Sequence, residues 1–253
     1  MIYGLYLSAT GIMTSSHQQD VIANNIANAD TNGFKRSMSL LREREVESRA
    51  MRAMGLTHDP LDKIGGGQLL SPTYTDYSQG TIEQTSNPLD TAVTGDGFLA
   101  VHDQSGQTRL TRAGALMIDN TGRLITAQGH QVLDAEKKPI SLANIPQSEL
   151  SIRSNGEIMR GQEQLSKIGL FDSSDRASLK PAGENLLQIV GDAQMVKANG
   201  KLVGGALEQS NVDPALELTR LMETQRLLEA NATMIKYQDA TLAKAVNEVG
   251  KIG

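Results

Sequence analysis

The residues of this 253-residue chain that could do acid–base, metal or nucleophilic chemistry are four histidines and 29 carboxylates, with no cysteine. His17, His58, His102 and His130 are scattered, and none sits in an H-E-x-x-H arrangement. No local carboxylate cluster has metal-ligand spacing, so the four read as ordinary surface or turn histidines. The lack of Cys removes thiol nucleophiles, Cys-ligated zinc and disulfides together. Gly95-Asp96-Gly97-Phe98-Leu99-Ala100 matches G-x-G-x-x-A, the spacing that lets a backbone approach a pyrophosphate. That chemistry needs a helix opening on the third small residue. Here the motif runs into Phe98–Val101, a strand-like stretch, so a turn entering a strand is expected. Gly65-Gly66-Gly67 lacks the Lys-Ser/Thr of a phosphate loop and reads as a flexible joint. Asn231-Ala232-Thr233 is a glycosylation sequon, but it lies in mid-helix with Ala232 on an apolar stripe. Asp59/Asp62 and Asp172/Asp175 sit among turn residues, where carboxylates cap and shape turns. A hydrolase of cell-wall polymer would need a close acidic pair, and nothing here supplies one. No base–nucleophile pair can be named. Catalytic residues, cofactor and metal are all expected to be none.

The elements that would position any site are of two kinds. At the N-terminus Ile2, Leu5, Ala9, Ile12, Ser16, Gln19, Ala23 and Ile26 alternate in steps of three and four. That is an a/d heptad stripe on a helix, interrupted by Ser16 and Gln19. The C-terminal stripe is longer: Leu218, Leu221, Gln225, Leu228, Ala232, Ile235, Asp239, Leu242, Val246 and Val249. Asp213 as N-cap with Pro214 at the first helical position starts it. A helix of ~35 residues would run ~50 Å. The two helices share one periodicity and are expected to pack together, with Ile12, Ile26, Leu218, Leu221, Leu228, Ile235 and Leu242 on the seam.

Between them, residues 37–55 are rich in Arg, Glu and Met and are expected to continue as helix; Arg42-Glu43-Arg44-Glu45 reads as a solvated face. His58, Asp59, Pro60 and the triple Gly mark a linker. From about 73 to 205 short β-like runs follow one another: 98–101, 109–112, 115–118, 123–126, 150–152, 168–171 and 186–190. Asn120-Thr121-Gly122, Asn155-Gly156 and Asn199-Gly200 are expected to turn hairpins. The fold class is therefore α+β: long terminal helices pairing as a coiled-coil-like domain around a central all-β domain of sandwich or barrel type. The divisions fall at 1–36, 37–72, 73–205 and 206–253.

One stretch carries more information than its secondary structure: Asn24-Asn25-Ile26-Ala27-Asn28-Ala29-Asp30-Thr31-Asn32-Gly33-Phe34-Lys35-Arg36. A helix end with Asn32-Gly33 in left-handed geometry explains two of these residues. It does not explain Asn24, Asn25 and Asn28, since Asn is a poor helix former. Side-chain amides there suit contacts to another chain. A net charge of −5 argues against a general nucleic-acid binder. No apolar run reaches the ~18 residues of a membrane span. Residues 1–34 hold no Lys or Arg, so a signal peptide would lack its positive segment. Aromatics are 3% of the chain, which leaves little for a small-molecule pocket.

With Ala23, the same stretch resembles the N-terminal signature of bacterial flagellar rod and hook proteins, A-N-N-[IL]-A-N-x-x-T-x-G-[FY]-K. The resemblance continues through Asn87-Pro88-Leu89-Asp90, Gly95-Asp96-Gly97-Phe98, Leu110-Thr111-Arg112-Ala113-Gly114 and Asp119-Asn120-Thr121-Gly122-Arg123-Leu124. It closes with Gly183-Glu184-Asn185-Leu186, Glu208-Gln209-Ser210-Asn211-Val212-Asp213 and Glu223-Thr224-Gln225-Arg226. Leu227-Leu228 departs where the family commonly has an aromatic, and Leu99 where a second Phe is common. Length and a single middle domain are similar to the proximal and distal rod proteins, leaning to the proximal. The resemblance implies a structural subunit of the flagellar basal-body rod whose terminal helices form the inner layer of a tubular filament. It implies as partners copies of itself, other rod and hook subunits and the flagellar export apparatus, with no nucleic acid, small-molecule substrate or membrane insertion. It implies location in the basal body after export without a cleaved signal peptide. The assembly motif it marks is Asn24, Asn25, Asn28, Thr31, Gly33, Phe34, Lys35, Asn211, Val212, Gln225 and Arg226. A non-enzymatic adaptor or assembly chaperone using the β domain is the alternative.

Overall fold

The computed structural model describes residues 2–43, 67–142, 145–146 and 149–249. The chain divides into two compact units, one of residues 1–27, 37–76 and 213–253, the other of residues 28–36 and 77–212.

The first unit is built on two helices, α1 (Ile2–Ala27) and α2 (Pro214–Val249). Asp213 caps α2: its Oδ1 accepts from the N–H groups of Ala215 at 2.9 Å and Leu216 at 3.2 Å. Pro214, which has no N–H to leave unpaired, occupies the first turn as expected. The helices lie against each other antiparallel. Asn25 is hydrogen-bonded to Glu217, while Gly11 faces Asn231 and Gly4 faces Gln238. Each of these pairs is seven or fourteen residues from the next on both helices, so the register is constant along the pair.

Residues 37–43 correct the expectation of continued helix. Ser37–Met38 pairs antiparallel with Tyr74–Thr75, and Leu41–Glu43 with Gln68–Leu70. The cause lies in partners distant in sequence: those strands, and the Asn25 side chain, which binds both the N–H and the C=O of Ser37, as a neighbouring strand would. Arg44, Glu45, His58, Asp59, Pro60, Asp62, Gly65 and Gly66 lie outside the described residues, and with them most of the expected helical extension and joint.

The second unit is all-β and antiparallel. Its main sheet runs in the order 179–183, 186–189, 108–111, 98–102, 131–132, 124–126, 116–118, with 170–173 also pairing 98–102 and 195–197 completing that side. Strand Phe98–His102 is central and apolar on both faces. Leu99 and Val101 enter a core with Leu89, Leu124, Val132 and Ile158; Phe98 and Ala100 enter a second with Leu110, Leu133 and Phe171. Tyr77, Phe98 and Phe171 serve the second core, where Tyr77 meets Phe98 edge-on at 5.7 Å.

One loop design recurs three times. Asp103, Asp119 and Asp134 each accept, on a single carboxylate oxygen, the N–H groups two and four residues further on, all at 2.8–2.9 Å. The residue three further on is left-handed each time: Gly106, Gly122 and Lys137. Hydrogen bonds, first of all from the hydroxyls of Ser105 and Thr121, hold the Asp103 and Asp119 carboxyls well below the ordinary carboxylate range. Asp172 and Asp175 also act as turn carboxylates. Asp175 caps the short turn Arg176–Ser178, and Asp172 pairs with Arg176.

Asn120-Thr121-Gly122 and Asn155-Gly156 turn hairpins. Asn199-Gly200 does not: Met195–Lys197 pairs with Leu170–Ser173 and Lys201–Gly204 with Thr91–Thr94. A Cβ on Gly200 would run into the Asp96 carbonyl, so this glycine serves a close backbone approach between elements distant in sequence. Gly95 and Gly97 both have positive φ and lead directly into Phe98–His102, so the G-x-G-x-x-A match is a turn entering a strand.

Candidate assembly site

The amide-rich stretch is hydrogen-bonded within its own chain. In the first unit Asn25, 1% exposed, accepts from Ser37 N–H at 2.9 Å. Its Nδ2 donates to Ser37 C=O at 2.7 Å and to Glu217 Oε2 at 3.1 Å. The expectation that Asn25 reaches for another chain is corrected: all its polar atoms are used here. Asn24 lies on the exposed side of α1.

The rest of the stretch belongs to the second unit. Asn28 accepts from the Thr31 hydroxyl at 3.3 Å, and its carbonyl accepts from Thr31 N–H. Gly33, at φ +70°, donates its N–H to the Glu208 carbonyl at 2.7 Å. A Cβ there would collide with the backbone of Arg112, so only glycine fits. Phe34 is half-buried, and Lys35 is buried with its Nζ 2.6 Å from Glu208 Oε1 and 2.7 Å from the Ser78 carbonyl.

Glu208 is the centre of this arrangement. It is 1% exposed and is held by Lys35, by Arg112 Nη1 at 3.0 Å and by the Gly80 N–H at 3.0 Å. Two cations share one carboxylate, and both also donate to carbonyls: Ser78 for Lys35, Val93 and Gly95 for Arg112. The Arg112 guanidinium also lies 5.0 Å over the Phe98 ring. Nearby, Asn211 accepts from Arg36 N–H at 2.7 Å and donates to Ser78, and Val212 is buried beside it in sequence. The segment that leaves α1 and the segment that enters α2 are thus fastened side by side inside this unit. Asn185 adds a bond to the Asn32 carbonyl at 2.8 Å.

On α2, Gln225 and Arg226 are exposed, and Gln225 bonds Glu229 one turn on. Of the expected seam, Ile12, Ile26, Leu221, Leu228, Ile235 and Leu242 are half-buried. Leu218 is 50% exposed and Val246 69% exposed. Leu221, Leu228, Ile235 and Leu242 keep their places on α2, but at the alternate positions Glu217 and Thr224 are buried where Leu218 and Gln225 are exposed, and Asn231 is half-buried. The Glu217 carboxylate turns inward to Asn25, and the bare backbone at Gly11 and Gly4 leaves room for the Asn231 and Gln238 amides. Asn231, not Ala232, is the sequon residue that faces α1.

Among the described residues no group of three or more His, Asp and Glu side chains is placed to hold a metal ion. None of the described helices is long and apolar enough to cross a membrane. Of the four histidines, His130 differs from expectation: it is 2% exposed, with Nε2 3.0 Å from Glu184.

Three family profiles match the chain: flagella basal body rod protein over residues 5–35, flagellar hook protein FlgE/F/G D1 domain over 92–160, and flagellar basal body rod FlgEFG protein C-terminal over 203–248. Flagellar basal-body rod protein FlgG of Bacillus subtilis is 32% identical, covering 98% of this chain and 99% of its own. FlgG of Buchnera aphidicola subsp. Schizaphis graminum is 31% identical over 96% and 98%. The chain belongs to the flagellar basal-body rod protein family. FlgF of Caulobacter vibrioides is also similar, 29% identical over 98% of each chain, so relatives of either name match this rod-family chain about equally.

Sequence reasoning quoted Arg112 and Glu208 within motifs but assigned them no role. Neither residue signals its partner locally: Lys35, Arg112 and Glu208 are 77 or more positions apart. The motifs that hold Lys35 and Glu208 also carry Asp30, Arg36 and Asp213, so charge alone did not single these residues out.

Proposed function

We propose that this chain is a structural subunit of the flagellar basal-body rod that assembles through its terminal helices and transmits torque by packing, with no chemistry of its own. The observation that carries the assembly mode is the outer face of α2. After α2 has packed against α1, Leu227, Met234 and Tyr237 remain 56%, 51% and 67% exposed. Their spacing of seven and three places them on one stripe of the helix. A lone subunit gains nothing by exposing such a stripe, whereas a repeating contact to neighbouring copies buries it. A contact whose rotation does not close generates an open helical filament, the form a rod requires. Other rod and hook subunits are partners of the same kind, and passage through the flagellar export apparatus delivers the chain to the basal body.

The test replaces the stripe without touching the seam: Leu227→Glu with Tyr237→Glu. The variant keeps its helix content and thermal midpoint in solution but no longer builds rods or restores motility to cells lacking the native chain. Normal motility from a folded double variant would falsify this assembly surface.

A further inference from the structure

We propose that a ladder of four polar layers along the α1–α2 seam is a register key: it admits one antiparallel alignment of the terminal helices and rejects those displaced by a heptad. This rests on the reading of these helices as the assembling part of the subunit.

The apolar residues of the α2 seam cannot specify register. Leu221, Leu228, Ile235 and Leu242 recur every seven positions and are nearly identical in size. A slip of one heptad, about 10 Å along the helix, would place like upon like. Between them lie Glu217, Thr224, Asn231 and Gln238, also seven apart and all different. They face Asn25, Gln18, Gly11 and Gly4 of α1. Three of these pairings are direct contacts, and the fourth follows from the constant register.

Three of the layers match a long side chain to a gap or a polar group to its partner. An ideal Cβ on Gly11 would stand 2.7 Å from Asn231 Nδ2 and 2.9 Å from its Cγ and Oδ1. A Cβ on Gly4 would stand 2.7 Å from Gln238 Nε2. The two amides therefore occupy space that exists only because α1 has no side chain there. Glu217 closes the ladder: it is 0% exposed, and its Oε2 is met by Asn25, which is itself fastened to Ser37. Displaced one way, Gln18 meets Asn231 where two amides compete for one space, and Asn25 meets Thr224. Displaced the other way, Asn25 runs past the start of α2, Gln18 takes its place against Glu217 without the Ser37 connection, and Gly11 faces Thr224. In both slips Glu217 loses Asn25. Arg220 Nη1, 2.9 Å from the other carboxylate oxygen, travels with Glu217 on its own helix, but Asn25 is the donor that is fastened to Ser37 at the same time, so both slips break that three-way connection, and polar layers select register where apolar ones do not.

The test uses the full chain, whose lack of cysteine leaves engineered thiols free of competitors. Ser8→Cys is combined in turn with Ile235→Cys, the aligned partner, and with Leu228→Cys or Leu242→Cys, the partners after a heptad slip. Intramolecular disulfides formed under mild oxidation are quantified by mass spectrometry. The aligned pair forms in about tenfold excess over either slipped pair in the parent. Gly11→Asn reduces that excess to within about twofold, and Gly11→Asn with Asn231→Gly, which exchanges the two residues across the layer, restores it. The key is wrong if the parent shows no preference, if Gly11→Asn leaves the preference intact, or if the exchange fails to recover it. Motility of the Leu227/Tyr237 variant reads separately. Normal motility there with aligned disulfides intact counts against the assembly surface and not against the register.

Discussion

Glu208 shows what one buried side chain does for a chain of this design. It is enclosed by Lys35, Arg112 and the Gly80 N–H, so neither cation can be deprived of it without leaving charge in the interior. Glu208→Gln preserves shape but removes the negative charge, and an unfolding titration in urea at neutral pH should show a loss of about 3–5 kcal/mol. A loss under about 1 kcal/mol would mean the cations find other partners. The exposed turn carboxylates behave differently. Asp103 and Asp119 are held below the usual 3.8 by the hydrogen bonds of their own loops. A depressed folded value stabilises above the unfolded one, so this contribution is intact from neutrality to about pH 5 and fades as pH falls below about 4. Stability measured against pH should therefore fall less steeply in acid for Asp103→Asn with Asp119→Asn than for the parent. An identical acid limb would show that these loops open before they titrate.

Among elements, the end of α1 depends on a side chain imitating backbone. Asn25 completes a ladder to Ser37 and satisfies Glu217, so two elements lose support together if it is cut. Asn25→Ala is expected to cost about 2–4 kcal/mol, counting its lost bonds to Ser37 and Glu217, and to speed hydrogen exchange at the amides of 22–27. Asn25→Asp sets a second carboxylate against Glu217. That variant should be weakest near neutral pH and recover as one of the pair takes up a proton, which a pair of denaturation curves at pH 7 and pH 5 will resolve. A deficit equal at both pH values would place the loss in the Ser37 ladder alone. The sequence announced α2 from Asp213-Pro214 because capping is local chemistry. It misplaced residues 37–43 because their strand state is imposed by Asn25 and by partners at 68–75, against a local composition that suits helix.

For the whole molecule, the division of the chain is not where hydropathy patterning puts it. Residues 28–36 follow a helix in sequence yet pack in the β unit, where Gly33, Lys35 and Arg36 are bonded to Glu208 and Asn211. Residues 28–212 should thus give a folded chain by circular dichroism and cooperative melting. Residues 37–212, cut at the boundary suggested by the sequence, should melt at least several degrees lower, since Glu208 and Arg112 then lack Lys35. Equal melting of the two would remove the signature segment from the β unit's stability.

By itself the sequence determined the kind of protein this is. Heptads at both ends, a run of turn-separated strands and the signature motifs are all written in local order, because capping, turn formation and periodic burial act over a few residues. The roles within the motifs were decided by tertiary structure. The amides that suggested contacts to a neighbour are in large part spent on their own backbone. Leu221, Leu228, Ile235 and Leu242 stay on the α2 seam, but Glu217 and Thr224 take the buried places expected of Leu218 and Gln225. Lys35, Arg112 and Glu208 become one group only when 173 residues of intervening chain have folded. Hydrogen bonds and ion pairs require a partner at about 3 Å, and that distance is a property of the fold rather than of the order of residues.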